Sequence, residues 1–219
     1  MEPNLAQVLN TLAHEIRTPL AVSQGYVTLY LDGRLTTPDE QHRALQQARE
    51  ALRQIATLCT DMGKVGVLSE TANAALTGTI AVGQLIGSLQ AAENVERATW
   101  LGDVAPPASV ATSGSKDLVR AVAVVARAAF DEAPEQPRTF NVDAIDGSTL
   151  TLMAGASGAV ASLRSGPADA KARPFDFARG GKGLALIWAS FVLQQHRVQT
   201  WSHQDHRASV GFRFSLVQV

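Results

Sequence analysis

The 219 residues carry 19 Lys and Arg against 20 Asp and Glu, a net charge of −1, with 46% hydrophobic residues and one cysteine. This is a globular composition long enough for one or two domains. It gives no basic footprint for nucleic acid, and it rules out an intramolecular disulfide or a thiolate zinc site. Glu2, His14, Glu15 and Arg17 break up the N-terminus as no signal peptide would. The longest apolar run, Leu184 to Leu193, is ten residues and too short to span a bilayer. A cytoplasmic location is therefore expected.

Residues 4–31 read as one helix. Leu5, Leu9, Leu12, Ile16, Leu20, Ser23, Val27 and Tyr30 recur at steps of three and four, a seam for a partner helix. Pro19 should kink this helix, because its ring clashes with the carbonyl four residues back. Asp32-Gly33 ends it with a residue suited to left-handed backbone. Thr37-Pro38-Asp39-Glu40 opens a second helix, with Thr37 as cap, Pro38 at the first helical position and Glu40 completing a capping box. Leu45, Ala48, Leu52, Ile55, Cys59 and Met62 carry its seam to about Val67, which makes Cys59 a small core residue. A short loop between two such helices makes an antiparallel hairpin. One hairpin cannot cover both seams, so two copies should pair into a four-helix bundle.

Ser69 to Gly78 is small and polar and reads as a linker. Val82 to Glu93 then reads as a helix, Arg97 to Val104 as a strand, Pro106 to Ser115 as loop and Lys116 to Phe130 as a helix. Thr139 to Val142 and Ser148 to Met153 alternate around Asp146-Gly147, a hairpin signal. Gly183 to His196 is helical, and Val198 to Trp201 with Gly211 to Leu216 closes as a final hairpin. Helices on one face of a mixed sheet make an α/β sandwich. Two domains are expected, at 1–70 and 77–219.

The run Ala13-His14-Glu15-Ile16-Arg17-Thr18-Pro19-Leu20 carries the chemistry. An imidazole is a nucleophile through one ring nitrogen while the other stays protonated, and a carboxylate next in sequence can accept a hydrogen bond from that N–H. The helix face of His14 also carries Thr18, Ala21 and Gly25. All are small, leaving a shallow groove for another protein's helix. The plain alternative for a lone helical histidine is a solvated surface position. Over residues 9–33 the sequence resembles the H-box of sensor histidine kinases, where the histidine is the phosphorylated nucleophile on a dimeric helical hairpin. The resemblance implies that His14 is the phosphoacceptor and Glu15 its orienting base. It implies that Thr18 positions a water for removing phosphate from a partner's aspartate, with a helical surface threonine as the even alternative. Arg17, Ala21, Val22, Gly25 and Tyr26 are the expected docking positions, although a solvated helical arginine is the plainer role for Arg17. His42 belongs to a solvated first turn, and His203 and His206 flank Asp205 with a metal-like spacing but no companions.

Residues 77–219 resemble, more faintly, the catalytic and ATP-binding domain of the same kinases. Asp117 to Ala129 matches the helix whose asparagine holds Mg²⁺ against the phosphates; the aligned Val124 and Ala128 offer no oxygen, which a hard divalent cation needs. Where an adenine-reading Asp and two glycines should stand, the chain has Leu152-Met153-Ala154-Gly155-Ala156-Ser157-Gly158. No Asp lies between Gly147 and Pro167. Gly181-Lys182-Gly183-Leu184-Ala185-Leu186 opens a helix as a phosphate-cradling loop would, but Ala185 replaces a glycine, and Arg164 to Gly180 is short for an ATP lid.

The expected fold class is α+β: a dimerising helical hairpin followed by a degenerate histidine-kinase-like, Bergerat-type α/β sandwich. The chain resembles dimeric histidine phosphotransferases, a kinase core without ATP binding that carries phosphoryl groups between response regulators. The implied partners are receiver domains, which would bring their own acidic pocket and Mg²⁺, and a second copy of this chain. No cofactor of its own, no nucleic acid and no membrane are expected. Two other readings stay open: a docking module that sequesters a regulator, and a divergent kinase or phosphatase that retains ATP.

Overall fold

Side chains named by the sequence set the ends of the first two helices. In a computed structural model, which describes residues 5–71, 76–92, 95, 97–102, 108–145, 148–164, 166–177 and 183–217, α1 spans Leu5–Leu31 and α2 spans Pro38–Thr71. α1 runs unbroken through Pro19, whose missing N–H leaves the Glu15 carbonyl without its usual donor four residues on. Gly33 follows at φ +66, the left-handed position that releases the chain, with Arg34 N–H returning to the Leu29 carbonyl at 3.1 Å. The capping box is closed in both directions. Glu40 N–H donates to Thr37 Oγ1 at 3.3 Å, and Thr37 and Thr36 N–H both donate to Glu40 Oε2 at 3.0 Å. These backbone donors, Thr37 first, hold the Glu40 carboxyl below its ordinary pKa.

The single chain buries a stripe of α2 beside the seam expected to face a second copy. Ala44, Ala48 and Ala51 are buried, whereas Leu45, Leu52 and Cys59 stand exposed. The inner face is one of alanines, which take up little space and permit close approach. The bulkier seam residues, Cys59 with them, therefore fall outside it. Cys59 is a surface thiol in the single chain. α2 also runs through part of the expected linker, to Thr71.

The remaining elements build a sheet with helices. In chain order they are β1 (Gly78–Ala81), α3 (Val82–Gln90), β2 (Thr99–Leu101), β3 (Ser109–Thr112), α4 (Ser115–Phe130), β4 (Arg138–Ile145), β5 (Thr149–Ala156), α5 (Ser157–Val160), a 3₁₀ turn (Ala161–Leu163), β6 (Ala172–Pro174), α6 (Gly183–Gln195), β7 (Gln199–His203) and β8 (His206–Val217). Among the described residues the strands form one eight-stranded sheet, with β1-β3-β8-β5-β4-β2 as its main path and β7 and β6 joined through β8. β2 and β4 run parallel and the other pairs antiparallel, so the sheet is mixed as expected. β3 corrects the loop assigned to Pro106–Ser115. Its four residues pair with β1 on one side and with the end of β8 on the other, and such short pairing leaves little sequence pattern. The turn expected at Asp146-Gly147 lies outside the described residues.

Successive strand residues face opposite ways. In β5 and β8, Leu150 and Leu152 lie beside Phe214 and Phe212, and α4 packs on both strands. The alternate residue Met153 instead meets Val160, Leu163 and Trp201, with Ala172 against them. The second face of the sheet is thus covered around Met153 as well, by α5 and the 3₁₀ turn, where helices on one face alone were expected. This double cover explains why β5 is buried at seven of its eight positions.

By its contacts the chain divides into two compact units. Of the described residues, one unit holds those from Leu68 to Phe177 and from Ala189 onward; the other holds those up to Val67 together with residues 183–188. The first turns of α6 therefore count with the helical hairpin.

Candidate phosphoacceptor site

α1 presents the site. His14, Thr18, Ala21 and Gly25 are all exposed, as their spacing requires of residues on one helix face. A side chain added at Gly25 would meet nothing within 4 Å, so the space over this position is open in the single chain. Arg17 and Val22 are exposed beside it and Tyr26 is half-buried. Pro19 and Ser23, on the other side of the helix, are buried.

Glu15 departs from its expected contact. Its Oε1 accepts the backbone N–H of Leu184 at 3.1 Å, within the unit that holds the hairpin and the start of α6. Among the described residues no hydrogen bond joins it to His14. The preceding residue, Gly183, lies so close to α1 that a Cβ would overlap the Thr11 methyl and stand 2.9 Å from Glu15 Oε1. Sequence reasoning took Gly183 as part of a phosphate loop and missed this contact; only the bare glycine at a helix start signalled a close approach. Gly181 and Lys182 lie outside the described residues.

The positions that the sequence resemblance would align with a nucleotide site carry small or aliphatic side chains. Ala128 is buried on α4, Val124 is half-buried, and Ala154 and Ala156 are buried at the end of β5. Ala156 and Gly158 open onto a depression of about 490 Å³ shared with Glu132, Gln136, Ala159, Asp205, His206, Arg207 and Ala208. Groups of both signs border it, the carboxylates of Glu132 and Asp205 and the guanidinium of Arg207.

The other histidines have structural employment. His196 is buried at the end of α6, where its Nδ1 lies 2.7 Å from the Val192 carbonyl. Its Nε2 accepts the Ser113 N–H at 3.3 Å and lies 3.0 Å from Thr112 Oγ1. Burial lowers its pKa, opposed by the Val192 carbonyl and by Asp117. Arg197 follows at φ +55, the left-handed residue that ends the helix. His203 and His206 stack at 5.1 Å, and the Asp205 N–H donates to His203 Nδ1 at 3.2 Å. No group of three metal-binding side chains occurs among the described residues, and no helix among them is long and apolar enough to cross a membrane.

Residues 4–63 match the family model of the His Kinase A (phospho-acceptor) domain. In fold the chain is similar to the Acinetobacter baumannii histidine kinase AdeS, with a TM-score of 0.53 at 14% identity over 93% of this chain and 96% of that one. It is also similar to full-length ShkA solved with AMPPNP, with a TM-score of 0.49 at 19% identity over 100% of this chain and 47% of that one. A histidine kinase from Burkholderia phymatum gives a TM-score of 0.38 at 16% identity over 95% and 99%. No curated protein matches the chain in sequence. Residues 4–63 thus match a phospho-acceptor domain model, and the chain shares the fold of the AdeS structure over nearly its whole length.

Proposed function

We propose that the chain is a histidine phosphotransferase of a two-component phosphorelay, acting as a homodimer in the cytoplasm and passing phosphoryl groups between response-regulator aspartates without binding ATP. One contrast supports this above all. His14 stands on an open face lined by Thr18, Ala21 and Gly25, whereas the aligned nucleotide positions Val124 and Ala128 carry only hydrocarbon. A reactive group is presented and the means of charging it from ATP is missing, so the phosphoryl group comes from a partner.

In the transfer, an imidazole nitrogen of His14 forms the P–N bond as the P–O bond to the donor aspartate breaks, and the aspartate leaves as carboxylate. The second ring nitrogen keeps its proton, oriented by a carboxylate acceptor, Glu15. The reverse step hands the group to a second regulator. Neutralising the phosphoryl oxygens falls to the receiver's acidic pocket with its Mg²⁺. What remains for this chain is alignment, which a rigid helix with one exposed histidine supplies. Thr18, one turn beyond His14, is placed to orient a water for aspartyl-phosphate hydrolysis. Arg17, Val22 and Tyr26 border the docking face.

A pre-phosphorylated receiver should transfer acid-labile label to the chain within seconds to minutes, and His14→Ala should abolish it while leaving the dimer intact. Label that persists in His14→Ala, or no donation from any cognate receiver, overturns the reading in favour of a docking module. Calorimetric titration with ATP, with and without Mg²⁺, should give affinity no better than millimolar, about 4 kcal/mol of binding; micromolar affinity would restore a divergent kinase.

A further inference from the structure

The residue next to His14 is held by the start of α6. Leu184 belongs to the first turn of a helix, where backbone N–H groups have no intrahelical acceptor and the positive end of the helix dipole lies. Glu15 Oε1 takes that N–H at 3.1 Å, so the carboxylate serves as a side-chain cap from another helix. Thr11 and Glu15 are four residues apart and neighbours on α1. The Gly183–Leu184 turn rests on this pair, and only glycine fits at 183 against the Thr11 methyl. Glu15 is half-buried there, while His14, Arg17 and Thr18 around it are exposed. A carboxylate with one oxygen committed to a charge-assisted hydrogen bond, facing a helix N-terminus, is a weaker acceptor for a second donor.

Building on the reading of His14 as phosphoacceptor, we propose that the Gly183–Leu184 turn is an autoinhibitory latch that holds Glu15 off His14. Its release frees the carboxylate to orient the imidazole and so raises the rate of phosphoryl uptake. The latch explains why Glu15, adjacent to the nucleophile, is turned toward a backbone amide. Gly183 and Thr11 act through Glu15 and are positioning residues.

The test uses the full chain in two unlatching variants that press on the contact from opposite sides, Gly183→Ala and Thr11→Tyr. Amide hydrogen exchange at Leu184 reports the contact, and the initial rate of His14 labelling from a phosphorylated receiver reports its effect. Each variant should speed Leu184 exchange by roughly tenfold, the worth of one hydrogen bond to a charged group, and should raise the labelling rate severalfold. Adding Thr11→Ser to Gly183→Ala removes the clashing methyl and should return both readouts toward wild type. Leu184 exchange in the wild type as fast as in an unstructured peptide shows there is no latch. Faster exchange with an unchanged or slower labelling rate shows a purely structural contact, and overturns the latch while the phosphoacceptor stands. Absence of label on His14 in wild type and variants alike removes the phosphoacceptor reading, and the latch with it.

Discussion

α1 and α4 are both rich in apolar residues, yet they use them in opposite ways. On α4 nine residues, from Leu118 to Phe130, are buried, in a unit whose sheet is covered on both faces. On α1 the large apolar side chains Leu9, Leu20, Val22, Val27, Tyr30 and Leu31 stand exposed, joined on α2 by Leu45 and Leu52. The sheet unit satisfies its own hydrophobic demand, whereas the hairpin leaves its demand open. Exposed apolar area on this scale marks an interaction surface, and it lies on the helix that carries His14. Self-sufficiency goes with the sheet unit, and incompleteness with the half that carries His14.

The comparison breaks most sharply at the hairpin's open face. Replacing Leu52 and Ile55 with Glu should weaken self-association at least ~100-fold, about 3 kcal/mol, because charges would replace apolar contacts. Light scattering at micromolar concentration should then show monomer, where the parent chain shows dimer; a monomeric parent chain would end the pairing idea. A smaller effect should follow from restoring the kinase asparagine at one site. Ala128→Asn places an amide in a packed, apolar position and should cost the sheet unit about 2 kcal/mol without conferring nucleotide binding, as urea melts and an ATP titration would show. Smallest is a pH effect at His196. Its pKa is lowered in the fold, so below about pH 6.5 the unfolded chain takes up a proton that the folded chain resists. Stability is therefore full above that pH and falls as the solution is acidified. His196→Gln should flatten the melting-temperature profile between about pH 7 and 5; an unchanged slope would put the acid sensitivity elsewhere.

Much of this was legible in the sequence where local rules decide. The capping box at Thr37–Glu40, the Gly33 stop, the extents of α4 and α6 and the order of the last strands follow from residues a few positions apart. The His14–Gly25 face was legible too, being a matter of helical spacing alone. What stayed hidden depends on distant partners. β3 is four residues whose partners lie some thirty residues before it and a hundred after it, and β6 is three residues pairing only with β7. Which of two adjacent stripes of α2 faces inward depends on how closely helices approach, a property that Leu45 and Leu52 do not reveal alone. The Glu15–Leu184 contact spans 169 positions and uses a backbone amide, which has no signature among side chains.

The alanines that fill the aligned nucleotide positions also constrain the lineage of such a chain. Ala128 and Ala154 are buried, so a polar side chain arriving singly at either position would come without partners and would impair folding before any ligand could reward it. Building a polar site there would take several coordinated changes, each harmful by itself. Small side chains packed into such a space work as a ratchet: easily acquired one at a time, and hard to undo in any order.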